Sequence, residues 1–222
     1  MRYALDYDGI MALAGPGAVR LAGVVPTGLP EALDPREAVR TDRPRAMALL
    51  KEAGLPGVKG TLTYASDLSS WGVPMGLIAQ KIQADLAAVG MAIGLNGLPH
   101  TVVQKTYSDG RIPLGMRWWV ADYPDSSNFL VFAPGNLVGR RVGWLADSGP
   151  EASELAQLAQ DAERDGDLTR RAALVRRIQR RLAEIGPYAP LFQPATAYAF
   201  RSNVQGVAFH TVWGFDLGTV SK

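Results

Sequence analysis

The chain contains no cysteine and only two histidines, His100 and His210. The first absence excludes disulfides, thiolate metal sites and cysteine nucleophiles, and the second leaves a histidine-rich metal centre almost no ligands. An excess of one charge is also lacking. Lysine plus arginine number 23 and aspartate plus glutamate 21, a net charge of +2. A chain whose main partner is nucleic acid ordinarily carries a much larger basic excess, so no nucleic-acid partner is expected. No stretch approaches the roughly 18 uninterrupted apolar residues of a membrane span. The start, Met1-Arg2-Tyr3-Ala4-Leu5-Asp6, has neither a basic n-region nor an apolar h-region, so no export signal is read there. What is present is 222 residues, 47% hydrophobic and 20% charged. That composition belongs to a folded globular chain, long enough for a real core and for one large domain or two small ones.

Periodicity predicts an α/β chain. Tyr3 to Ala14 carries a short helix pattern that stops at Gly15-Pro16-Gly17. Residues 15–40, rich in proline and glycine, read as an extended loop hugging the surface. Asp42 to Ala53 reads as a helix, with Asp42 as N-cap, Pro44 in the first turn and Met47, Leu49 and Leu50 as its apolar face. A strand over Gly60 to Ala65, a helix over Val73 to Val89 and a strand over Met91 to Leu95 make a βαβ unit with parallel pairing. The helix stripe is Leu77, Ile78, Ile82, Leu86 and Val89. A short helix around Thr101 to Tyr107 follows. Ile112 to Val120, dense in large apolar residues, reads as a third and central strand. Residues 121–149 read as loop. Helices are expected over Glu151 to Arg164 and Leu168 to Ile185, then strands over Ala189 to Phe192 and Thr196 to Phe200.

Chemistry-bearing motifs are sparse. Ser126-Ser127 beside Asp125 has no nearby histidine, the Gly-x-Ser-x-Gly elbow is absent, and no glycine-rich phosphate loop has the strand-before, helix-after context. No catalytic residue and no cofactor is therefore assigned. Arg170, Arg171, Arg176, Arg177, Arg180 and Arg181 cover the solvent side of an amphipathic helix with acids nearby, the pattern of solvation and helix pairing. The informative segment is Arg117-Trp118-Trp119-Val120-Ala121-Asp122-Tyr123-Pro124-Asp125. A strand sends adjacent side chains to opposite faces. If Trp119 faces a cleft, Asp122 just past the strand end sits beside it. An aromatic wall with a fixed carboxylate suits a ligand bearing an ammonium group. The alternative is that both tryptophans are core and Asp122 only caps a turn. A further alternative is a hydrolase or regulatory domain using Asp122 and Asp125 as a carboxylate pair.

This segment resembles the ligand-site stretch of peptide-binding members of the family 5 extracellular solute-binding proteins, receptors of ABC importers for peptides, nickel and other solutes. In that family a Trp-x-x-Asp stretch ends a strand and the aspartate meets the ligand's α-ammonium. Trp119 and Asp122 match those two positions. Arg2 to Asp8, Asp42 to Gly54, Ile82 to Leu86, Arg171 to Leu182, Pro187 to Phe192 and Gly206-Val207 resemble further family segments in the same order. Pro124-Asp125 departs from the family's frequent Asp-Pro order. The resemblance implies the C-terminal lobe of a periplasmic-binding-protein type II fold, a mixed β-sheet flanked by helices. It implies a lobe over 1–202 and a tail over 203–222 that crosses back to an N-terminal lobe missing from this chain. It further implies a peptide or other small solute as ligand, with a nickel chelate or an oligosaccharide as alternatives. A membrane permease is the implied partner, and the periplasmic or outer face of the membrane the implied location. Asp122 would bind the ammonium and Trp119 would wall the pocket, with Tyr123 and Arg117 lining or flanking it. Val207, Phe209, Val212, Trp213 and Phe215 would form an apolar surface toward the missing lobe.

Overall fold

The alternation Lys59-Gly60-Thr61-Leu62-Thr63-Tyr64-Ala65 and the stripe of Ile78, Ile82 and Leu86 organise the first half of the molecule. A computed structural model describes residues 1–70, 72–210 and 214–222. In chain order the helices are α1 (Tyr7–Ala14), α2 (Arg43–Glu52), α3 (Met75–Ala87), α4 (His100–Ser108), α5 (Leu137–Arg141), α6 (Pro150–Arg164) and α7 (Leu168–Ile185). The strands are β1 (Val19–Arg20), β2 (Lys59–Ala65), β3 (Ser69–Ser70), β4 (Val73–Pro74), β5 (Ala92–Leu98), β6 (Phe192–Gln193), β7 (Phe209–His210) and β8 (Gly214–Phe215). β2 and β5 pair in parallel with Lys59 opposite Ala92 and Ala65 opposite Leu98, and α3 is the crossover between them. Gly90, at φ 85°, ends the turn after α3, a conformation that favours glycine. Ile78, Ile82, Leu86 and Val89 are buried as expected, whereas Leu77 is exposed.

Two cores result. The first joins α3, β2 and β5 to the N-terminal helices through Leu5, Ile10, Ala46, Leu62, Ile93 and Met116. Asp85, buried on α3, fastens this assembly: its carboxylate accepts from Lys81 Nζ at 2.6 Å and from the Asp6 N–H at 3.0 Å. Burial opposes the charge on Lys81, but its bonds to Asp6 and Asp85 prevail and hold its pKa above the usual value. The second core lies between α6, α7 and the segment 129–133, with Leu155, Ala159, Val175, Ile178, Leu182, Phe129 and Leu130. A smaller cluster of Ala65, Val103, Tyr107 and Ile112 packs α4 on β2. The loop over 15–40 is pinned at several points. Gln179, buried on α7, accepts from the Val25 N–H at 3.3 Å and donates to the Glu31 carbonyl at 2.7 Å, and Val25, Leu29 and Leu33 are buried. Arg2 lays its guanidinium on the last carbonyls of α7, those of Leu182, Ala183 and Glu184, groups that a helix leaves without internal partners.

Several expectations change. Residues 112–120 form no regular strand: the backbone pairs with β2 only at the parallel bridge Thr63–Gly115, with Thr63 N–H donating to the Leu114 carbonyl and Met116 N–H to the Thr63 carbonyl. Pro113 has no N–H to extend that ladder. The sheet is accordingly small pairs rather than one mixed sheet: a parallel pair, and antiparallel pairs of two residues per strand among the described residues. Residues 121–149 are not all loop. A 3₁₀ segment spans Ser126–Phe132 under an Asp125 cap, and α5 follows. Residues 189–192 contribute only Phe192 to a strand, and 196–200 contribute none. On α2, Ala46 is buried, while Met47 and Leu49 point to solvent. Helix α2 packs through Ala46 and Leu50, which leaves Met47 and Leu49 with no layer to enter.

Candidate ligand site

The informative segment bridges the two cores. Met116 is buried in the first, whereas Trp119 and Ala121 pack against the second. The two tryptophans do diverge, although no strand carries them. Trp118 stacks on His100 at the start of α4, with ring centroids 6.1 Å apart, and Trp119 meets Phe132 edge-on at 5.6 Å. Trp119 is half-buried, so it is partly core and partly open. Behind it Phe132 meets Tyr188 at 5.2 Å and Tyr188 meets Trp144 at 6.1 Å, which gives the site a rigid aromatic backing. Burial pushes the Tyr188 phenol pKa well up, and its O–H donates to the Phe132 carbonyl at 3.0 Å.

Asp122 is exposed. Its Oδ2 accepts from Asn128 Nδ2 at 3.2 Å, and its N–H donates to Asn128 Oδ1 at 3.3 Å. The same Oδ1 receives the Trp119 indole N–H at 3.4 Å. Asn128 is buried and so joins the carboxylate to the ring. Tyr123 is exposed, and its O–H lies 3.3 Å from Ser127 Oγ. Arg117 is engaged elsewhere: its guanidinium lies 4.1 Å from the centre of the Tyr107 ring and donates to Gln104 of α4. Burial is the main cause that lowers its pKa, and Arg141, which faces the same ring, adds to it. The structure therefore brings Trp119 and Asp122 together, keeps Tyr123 on the same loop, and anchors Arg117 to α4. Two concavities of the chain, about 830 Å³ beside Arg40–Arg45 and about 460 Å³ beside Gln83–Gly94, include none of these four residues.

Asp125 is engaged away from Asp122, by Ser127 and Arg171. Partial burial raises its pKa, but the Ser127 backbone and hydroxyl and the Arg171 guanidinium outweigh this and hold it below the usual carboxylate value. Its carboxylate accepts from the Ser127 N–H at 2.8 Å and pairs with Arg171 at 2.7 Å. The other arginines of α7 are also engaged, Arg177 with Glu154, Arg180 with Glu37, Arg181 with Glu151 and Glu184, Arg170 with Asp165 and Asp167, and Arg176 with the Pro30 carbonyl. This is the solvation and pairing expected of that charge run. Among the described residues no group of three acids or histidines is placed to hold a metal, and no helix is long and apolar enough to cross a membrane. Sequence reasoning missed Asn128, Phe132, Tyr188 and Arg171. Asn128 had one signal, a polar residue opening the apolar run Phe129-Leu130-Val131-Phe132.

Residues 1–136 match the family described as "Bacterial extracellular solute-binding proteins, family 5 Middle". The chain belongs to this family. It is 31% identical over 183 residues to di/tripeptide-binding protein 2 of Pseudomonas aeruginosa (strain UCBPP-PA14), which covers 81% of this chain and 33% of that protein. It is 30% identical over 217 residues to di/tripeptide-binding protein 4 of the same strain, 95% of this chain and 39% of that protein. The chain thus spans between a third and two fifths of these relatives. Among solved structures, the dipeptide binding protein of Pseudoalteromonas sp. SM9913 in complex with Met-Leu superposes with a TM-score of 0.79 at 20% identity, over 100% of this chain and 44% of that one. The fold is accordingly α/β, part of a type II periplasmic-binding-protein fold, and the proteins it resembles are binding proteins.

Proposed function

We propose that this chain is one ligand-binding lobe of a solute receptor for an ABC importer, and that the solute is a short peptide. The observation that carries the reading is the pair of Asp122 and Trp119, joined through Asn128. An exposed carboxylate held beside an indole offers a charge-assisted hydrogen bond and an apolar wall to a peptide's ammonium terminus. Tyr123 lines that position and Arg117, tied to Gln104 of α4, flanks it. The reaction is capture, with no bond made or broken: the ligand is enclosed between this lobe and a second one that closes by a hinge, and the closed form docks on a membrane permease. The full-length protein acts at the periplasmic or outer face of the membrane. Enclosure of a small ligand normally reaches about 70–90% of its surface, so one lobe alone binds weakly.

Residues 1–202 form the lobe and 203–222 the tail that crosses to the other lobe. The tail rings support this. Phe209 is 60% exposed and Leu217 77%, with Tyr198 and Phe200 beside them each 47% exposed, and a bare aromatic patch of this kind marks an interface. Phe215 and Val207 are half-buried, and Val212 and Trp213 lie outside the described residues. Limited proteolysis tests the boundary: the tail is expected to be cut readily in the 222-residue chain and protected in the full-length receptor. The ligand reading is tested by calorimetry on the full-length receptor, where Asp122→Ala is expected to lower peptide affinity about a hundredfold, the loss of a charged hydrogen bond in an enclosed site. Unchanged affinity removes Asp122 from the site. Mass spectrometry of co-purified ligand distinguishes a peptide from a nickel chelate, an oligosaccharide or another solute on the same fold.

A further inference from the structure

We propose that Asn128 is the positioning residue of the ligand site: it fixes the Asp122 carboxylate and the Trp119 ring relative to each other before any ligand arrives. The proposal rests on the reading of Asp122 given above. A carboxamide offers two donors and an acceptor oxygen with two lone pairs. Here that oxygen serves two donors, the Trp119 indole N–H at 3.4 Å and the Asp122 backbone N–H at 3.3 Å. The amide nitrogen donates to Asp122 Oδ2 at 3.2 Å. One side chain therefore holds the backbone and the carboxylate of Asp122 together with the ring beside it. Asp122 Oδ1 has no partner among the described residues, which leaves it for an incoming ammonium.

Asn128 is itself held firmly. It is 4% exposed, its N–H donates to the Asp125 carbonyl at 3.1 Å, and its neighbours Phe129 and Leu130 are buried in the core of α6 and α7. Asp125 in turn is tied to Arg171 of α7 at 2.7 Å. The support runs from a long helix to the 3₁₀ segment and from there to the carboxylate. The neutrality of the amide is part of the argument. A lysine or arginine here would neutralise Asp122, and an aspartate would repel it, whereas the amide orients the charge without altering it. The 3.2 Å bond is at the long end of the normal range and the other two lie just beyond it, so the three act by geometry rather than by individual strength. Fixing a carboxylate in advance removes an ordering cost that the ligand would otherwise bear, worth up to about tenfold in affinity.

The test is a double-mutant cycle on the full-length receptor, read by calorimetry with di- and trialanine. Asp122→Asn is expected to weaken binding about a hundredfold and Asn128→Ala about tenfold, while the double variant is no weaker than Asp122→Asn alone, because the second residue acts through the first. A second readout is the Trp119 indole N–H resonance in a proton–nitrogen spectrum, which moves upfield in Asn128→Ala as its acceptor is lost. Losses that multiply to about a thousandfold in the double variant, an Asn128→Ala receptor with unchanged affinity, or an unmoved indole resonance each overturn the proposal. Should the alanine variant fail to fold, Asn128→Ser goes through the same cycle with the same expected non-additivity. Unchanged affinity in Asp122→Asn, or no uptake of either peptide by the unaltered receptor, refutes the underlying reading of the site instead.

Discussion

Two chains of touching aromatic rings among the described residues differ in what lies behind them. In the lobe, Trp119, Phe132, Tyr188 and Trp144 follow one another with centroids 5.2 to 6.1 Å apart, over the apolar cluster of α6 and α7. Near the C-terminus, Tyr198 and Phe200 meet Phe209 and Phe215 of the tail at closer spacing still, 4.3 to 5.4 Å, yet three of the four are exposed to solvent. Close ring geometry thus arises here between two short segments with no core behind them. Burial does not, because it needs a second layer. A ring pair is worth roughly 0.5–1.5 kcal/mol beyond the area it buries, so most of an aromatic residue's contribution comes from the layer behind it.

The largest expected effect tests the lobe side of this contrast. Phe132→Ala removes a ring that touches Trp119, Phe129 and Tyr188. It is expected to destabilise the 222-residue chain by about 3 kcal/mol and to lower its melting temperature by several degrees. The tail counterpart, Phe215→Ala, is expected to cost under about 1 kcal/mol in the same calorimetric scan, since solvent already reaches its neighbours. Equal costs would break the comparison.

Next in size is Gly139→Ala on α5. The added methyl would collide with the Ala133 carbonyl oxygen beneath the site, at an expected cost of about 2 kcal/mol by chemical denaturation. Gly206→Ala collides equally with the Thr219 carbonyl oxygen in the tail, where the bridge between Gln205 and Ser221 is lost but the unfolding midpoint of the lobe stays put. A parallel fall in both midpoints would show that tail and lobe melt together.

The smallest effect sharpens the lobe side through pH. Asp125 has a folded pKa below its ordinary value of 3.8, so its ionised form is the one the fold stabilises. Its contribution is complete above that ordinary value and is lost as the pH falls through the depressed folded one. The pair with Arg171 is partly exposed, which limits it to about 0.5 kcal/mol. Asp125→Asn is therefore expected to destabilise slightly at neutral pH and to converge on the parent chain in strong acid. A gap that persists there would mean that Asp125 acts by shape rather than charge.

The legible parts of the sequence were those where local pattern and tertiary packing agree. The βαβ unit and α7 are legible because Leu62, Ile78, Ile82, Leu86, Val175, Ile178 and Leu182 lie on the inward side of their elements and all are buried. The failures share one cause, the arrival of long-range partners without a periodic signal. Residues 112–120 resemble a central strand in hydrophobicity, but Ile112, Met116 and Trp119 each belong to a different cluster and the backbone pairs with β2 only at Gly115. Met47 and Leu49 looked like core because nothing local distinguishes an apolar side chain with a layer to enter from one without. At the site, Trp119 and Asp122 were legible as a spacing. Their link through Asn128 was not, since an asparagine six residues on reads as a loop residue until the fold shows it buried.

The passage from Met116 to Trp119 carries a mechanical consequence. Three peptide steps take the backbone from one hydrophobic nucleus into the other, and the acid stands just beyond the crossing. On the reading of Asp122 proposed above, a guest held by that acid would pull on both nuclei at once, and loosening either nucleus would slacken the grip.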